Sequence, residues 1–117
     1  MVDRFLKVFS VLSDINRFRI YTTLLQSTDG FCVCELSLLL NLPFYTVSKG
    51  LKELENILLL EKRRKGQYIF YFPKKTDDPF ISKLNSFIIE IANSSNMINI
   101  EEINKVLSER DIIKCYK

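Results

Sequence analysis

The apolar period of this chain changes once, close to a glycine that follows four consecutive cations. Val47, Leu51, Leu54 and Leu58 recur at offsets of four, three and four, the stripe of a helix buried on one side. After Gly66 the period becomes two: Tyr68, Phe70 and Phe72 alternate with Ile69 and Tyr71, a half-buried aromatic strand closed by Pro73. Leu58 to Arg63 supplies a partner strand, and Arg64-Lys65-Gly66 contains the glycine a tight hairpin needs. The expected ribbon carries Lys62, Arg63, Arg64 and Lys65 at its tip.

Upstream of that switch the periodicity is helical throughout. Val2, Phe5, Phe9 and Leu12 make an aromatic seam on a first helix, and Ser13-Asp14 supplies a cap for a second. That second helix has Ile15, Phe18, Thr22 and Leu25 on one face and ends before Ser27-Thr28-Asp29-Gly30. A short third helix, Cys34 to Asn41, turns Leu36, Leu39 and Leu40 inward and stops at Asn41-Leu42-Pro43. The fourth runs from Phe44 to about Ile57. At 100° per residue, Tyr45, Lys49, Lys52 and Asn56 lie opposite its buried stripe, with Thr46 and Ser48 on the flanks. Beyond a polar connector, Phe80, Leu84, Phe87 and Ile91, widened by Ile81 and Ile88, form a strongly apolar helix from Pro79 that breaks over residues 92–96. Asn99 caps a last helix whose first turn holds Glu101 and Glu102.

The fold expected is mainly α with a two-stranded β-hairpin. At 117 residues the chain has room for one core, so a single domain over 1–117 is expected. No run approaches the roughly 18 apolar residues of a membrane helix, and Met1-Val2-Asp3-Arg4 lacks the apolar block of a secretory signal. A cytoplasmic protein without membrane contact is expected. Residues 44–75 hold eight Lys or Arg against Glu53, Glu55 and Glu61, a net +5 within a chain of net +3, so the remainder nets −2. A basic segment on a near-neutral body is the electrostatic footprint of a polyanion binder. The chain has no histidine, which removes Ser-His-Asp and Cys-His catalysis and every imidazole zinc site. With three glycines and no phosphate-cradling loop, neither an enzyme nor an organic cofactor is expected.

A short helix, a tight turn, a helix with a polar outer face and a cationic hairpin form, in this order, a winged helix-turn-helix. The expected partner is double-stranded DNA, whose groove and phosphates the two positive elements are placed to straddle. Tyr45 and Lys52 join the interface from the helical wheel, and Lys62, Arg63, Arg64 and Lys65 from charge and position.

Several segments carry a family resemblance: Val11-Leu12-Ser13-Asp14 with Arg17-Phe18-Arg19-Ile20, then Cys32-Val33-Cys34-Glu35-Leu36, Thr46-Val47-Ser48-Lys49, and Arg63-Arg64-Lys65-Gly66-Gln67-Tyr68. Together, over about residues 5 to 73, they resemble the ArsR/SmtB family of bacterial winged-helix repressors, and its arsenic-responsive branch in particular. The resemblance implies a homodimer joined by the first and late helices, about 2–12 and 79–93, with residues 99–117 as a further helix and tail. It implies an operator, an imperfect palindrome over the chain's own operon, that is released when an inducer binds. It also implies DNA contacts from Thr46, Ser48 and Lys49. The chain departs from the family's habit at Ile15, at Pro43-Phe44 where Ser-Gln is common, and at Gly50. The second departure removes an adenine reader.

Cys32 and Cys34 are either small buried hydrophobes or a soft ligand pair. Two thiolates so close need a third ligand to form the trigonal site that arsenite or antimonite prefers. In the arsenic branch that thiol often follows three residues after the second, where this chain has Ser37; either two thiols suffice or Cys115 completes the set. Residues two apart on a helix diverge by about 200°, so chelation by both requires an extended start to the third helix. The chain is thus read as a repressor relieved by arsenite or antimonite at Cys32, Cys34 and Cys115. The alternatives are a thiol redox sensor that uses the same cysteines, and a docking or metal-buffering module that does not touch DNA.

Overall fold

A computed structural model describes residues 2–95 and 99–109. The order of elements is α1 (Val2–Leu12), α2 (Ile15–Leu24), α3 (Val33–Leu40), α4 (Phe44–Asn56), β1 (Leu60–Lys65), β2 (Tyr68–Pro73), α5 (Pro79–Ser94) and α6 (Ile100–Ser108). The strands pair antiparallel, from Leu60 opposite Pro73 to Lys65 opposite Tyr68. The mainly helical architecture with one hairpin is therefore as expected from the sequence.

The faces buried differ from the expected ones in several places. On α1 the core takes Val8 and Leu12, while Val2 and Phe9 are exposed. The aromatic seam instead meets Phe80 of α5, with ring centroids 4.1 Å from Phe5 and 5.9 Å from Phe9. Asp14 caps α2 as expected, its carboxylate accepting from the Arg17 N–H at 3.0 Å. Ile15 is exposed, however, and Ile20 through Leu24 are all buried. Helix α2 runs through the centre of the domain, so its second half has no solvent side and no single apolar stripe. On α5 the fully buried line is Ile81, Ile88 and Ala92, and Phe87 points to solvent.

The buried stripe of α4 is Val47, Leu51 and Leu54; Leu58 does not belong to it. The helix ends first. Leu58 takes φ 64°, its N–H donates to the Glu55 carbonyl at 2.9 Å, and the Leu59 N–H donates to the Leu54 carbonyl at 3.1 Å. This is a Schellman ending with leucine in the left-handed position usually given to glycine. It turns Leu58 outward and sends Leu59 and Leu60 into the core. Strand β1 consequently begins at Leu60 and not at Leu58.

Asn99 caps α6, its side-chain oxygen accepting from the Glu102 N–H at 3.0 Å. Ile103 and Val106 bury α6 against the domain, where it packs on α3. Tyr21, fully buried, donates its hydroxyl to Asn85 at 2.6 Å and so ties α2 to α5. Burial pushes that phenol up to about 12, against the opposing effect of the Asn85 hydrogen bond. Among the described residues no helix is long and apolar enough to cross a membrane.

Candidate functional site: a basic helix and wing beside two cysteines

Helix α4 is held from beneath and open above. Gly50 is buried against α2, where an added Cβ would lie 2.8 Å from the Ile20 Cδ1. The residue that the sequence presents as a weak point of the helix is thus the place where two helices approach closely. From α2, Arg17 donates through Nε to the Val11 carbonyl at 2.7 Å and through Nη1 to Glu53 of α4 at 2.5 Å. The recognition-type helix is therefore fixed to the body at its middle. On its outer side Tyr45 is 75% exposed, and Ser48, Lys49 and Lys52 are exposed, with Thr46 partly buried. The N-cap is Pro43, which offers no side-chain oxygen to the first-turn amides.

The four cations of the hairpin do not crowd its tip. They run along β1, and the loop itself is Gly66-Gln67, with Gly66 at φ 65° as a two-residue turn requires. Lys62 and Arg64 share one face of the ribbon, Arg63 and Lys65 the other. Two are engaged within the chain. Lys62 pairs with Glu55 at 3.1 Å, a hydrogen bond that raises its ammonium pKa. Arg63 pairs with Glu61 at 3.0 Å, a hydrogen bond that holds that carboxyl below its ordinary range, and its guanidinium lies 4.5 Å from the centre of the Phe72 ring. Arg64 bonds only weakly to its own turn, at 3.2 Å to the Gly66 carbonyl. Arg64 and Lys65 are the cations nearest the turn.

Cys32 and Cys34 lie under this wing; Cys34 is disulfide-bonded in this structure, and Cys32, buried, is outside that bond. Helix α3 begins one residue earlier than expected, with Cys32 as N-cap in an extended conformation, φ −91° and ψ 170°. Cys32 forms a capping box with Glu35, whose carboxylate accepts from the Cys32 N–H at 3.1 Å although Glu35 is completely buried. Cys32 (3% exposed) and Cys34 (8%) form a cluster with Phe70, and Tyr68 and Phe72 pack around it. The residue before the pair is also joined to the wing: Phe31 and Tyr71 exchange both backbone hydrogen bonds, at 3.1 and 2.9 Å. Gly30, at φ 73°, sits against the Phe72 ring, which an added Cβ would meet at 2.5 Å.

The sequence therefore marks the right elements but not their junction. Phe31, Phe70 and Phe72 read only as apolar residues, and nothing local indicates that residues 30–34 would lie along β2. The expected unwinding is also smaller than the spacing implied, since Cys32 already stands outside the helix. Cys115 lies outside the described residues. Among those described, no group of three or more His, Cys, Asp or Glu stands together as a metal site. Once the disulfide at Cys34 is reduced, Cys32 and Cys34 supply two soft donors beside an aromatic cluster, part of a thiophilic site with at least one ligand to come from elsewhere.

No family model matches the chain. Over 65 residues it is 42% identical to the arsenic resistance transcriptional regulator ArsR1 of Pseudomonas putida, a match covering 55% of this chain and 49% of that protein. Over 66 residues it is 30% identical to the cadmium resistance transcriptional regulatory protein CadC of Listeria innocua, covering 56% and 55% respectively. The chain spans about half the length of these curated relatives. Its fold is similar to the homodimeric winged helix-turn-helix DNA-binding domain of Mb0332 from Mycobacterium bovis, a possible ArsR-family transcriptional regulator. That likeness has a TM-score of 0.64 and 22% identity, over 79% of this chain and 81% of that one. The fold is a winged helix-turn-helix, and the chain's relatives are metal and metalloid resistance regulators, as the resemblance implied.

Proposed function

We propose that this chain, a winged helix-turn-helix whose relatives regulate arsenic and cadmium resistance, is an ArsR-type repressor released from its operator by a thiophilic inducer. DNA is held by Tyr45, Thr46, Ser48, Lys49 and Lys52 of α4 in the major groove, and by Lys62, Arg63, Arg64 and Lys65 along the wing. A homodimer joined through α1 and α5 presents two such units to a palindrome. The inducer is arsenite or antimonite, bound by Cys32 and Cys34 with Cys115 as third thiol.

What supports this reading most is the packing of the two cysteines on the wing strand itself. Cys32 and Cys34 share a cluster with Phe70, and Phe31 is hydrogen-bonded to Tyr71. With the Cys34 disulfide reduced, a soft ion added between Cys32 and Cys34 needs space that Phe70 and its neighbours occupy, so the first turn of α3 opens around Cys34 and β2 shifts. The wing leaves its docked position. DNA, by holding the wing in place, weakens inducer binding by the same factor, as linkage requires.

A mobility-shift assay with DNA from upstream of the chain's own gene tests this directly. The wild type is expected to shift the duplex at low salt and release it with arsenite, while Cys32→Ser and Cys34→Ser stay bound. A double-serine variant still released by arsenite would remove the thiols from the mechanism, and absence of any shift would remove DNA. Cys115→Ser asks the same question of the third ligand.

A further inference from the structure

Phe44 is the first residue of α4 and is 58% exposed. It continues the line of the buried stripe one turn before Val47 but, unlike Val47, Leu51 and Leu54, is left exposed in the first turn of the helix. A single exposed phenylalanine on an ordinary surface carries no meaning. This one stands where a recognition helix approaches base edges, beside an outer face made of Tyr45, Ser48, Lys49 and Lys52. Cations there draw a duplex in, and whatever meets Phe44 is then part of that duplex.

We propose that Phe44 is a specificity-determining residue whose ring takes the 5-methyl group of a thymine in the major groove. A phenyl ring has no donor or acceptor, so it reads no hydrogen-bonding edge; the thymine methyl is the one apolar group the major groove displays. Contact removes water from both partners. The preference for thymine over a base lacking the methyl is about fourfold per contact, the value for burying one such carbon. The proposal rests on the DNA-binding reading above.

Duplexes enriched from a random pool by the wild-type protein supply the test. Each thymine is replaced in turn by uracil, which keeps the base pair and removes only the methyl. The wild type is expected to lose about fourfold in affinity at one or two positions in each half-site. Phe44→Ala is expected to bind the thymine and uracil duplexes equally at those positions, and Phe44→Leu to keep part of the preference. Thermal unfolding confirms that both variants are folded. A wild type indifferent to every replacement, or a Phe44→Ala variant with the wild-type preference, overturns the proposal while leaving DNA binding intact. Failure to enrich any duplex at low salt overturns the DNA-binding reading as well.

Discussion

At the scale of single residues, Tyr21 links chemistry to stability most directly. Its phenol is buried and bonded to Asn85, with a pKa pushed up to about 12 from an ordinary 10.0, first by desolvation. In the unfolded chain the phenol ionises near its ordinary value, so folding holds a proton that the unfolded state gives up. Stability from this group is complete below about pH 10 and falls as pH rises towards 12, by about 2–3 kcal/mol in total. Tyr21→Phe is expected to flatten that alkaline limb in urea unfolding between pH 9 and 12; parallel wild-type and variant curves would show that Tyr21 does not titrate there. Among residues legible in the sequence, Asp14 and Asn99 cap as their type and position indicate. Glu35 was not legible. A glutamate reads as surface, and the capping bond from the Cys32 N–H, which engages its buried carboxylate, leaves no mark in the sequence.

At the scale of elements, α4 and β2 were legible because burial on one side imposes a period on the sequence. The end of α4 was not, because leucine at a left-handed C-terminal position leaves no compositional mark where glycine would have left one. The wing shows the same limit. Its cations are visible as a run, but their pairing with Glu55 and Glu61 depends on register and turn length. That pairing distinguishes the four. Arg64→Ala and Lys65→Ala are each expected to lower the slope of log affinity against log salt by about one. Lys62→Ala and Arg63→Ala, whose charges are already partnered within the chain, are expected to change it less. Equal slopes for all four variants in a salt titration of operator binding would mean that the internal pairs open on DNA.

At the scale of the whole molecule, the domain keeps apolar side chains in solvent on two neighbouring elements. Val2, Leu6 and Phe9 of α1 and Phe87 of α5 are exposed, and these helices meet at the Phe5–Phe80 contact. The proposed homodimer covers this face. Phe9→Glu and Phe87→Glu are expected to shift sedimentation equilibrium towards the monomer and to weaken operator binding, since each half-site is then held alone; unchanged mass in both variants would place the interface elsewhere. The distribution of apolar residues along α1 and α5 was readable, but which of them serve the core was not, because each helix packs on α2 as well as on the other.

The reciprocal bonds between Phe31 and Tyr71 also set a mechanical ratio. From Tyr71 to the turn at Gly66 is five residues, about 16 Å of strand at roughly 3.3 Å each. The ribbon is a lever pivoted next to Cys32. A tilt of about 10° at the pivot carries the far end some 3 Å, about the length of one hydrogen bond. In the proposed DNA complex, a displacement no larger than a side-chain adjustment around Cys32 and Cys34 is therefore enough to take Arg64 and Lys65 from phosphate contact to solvent.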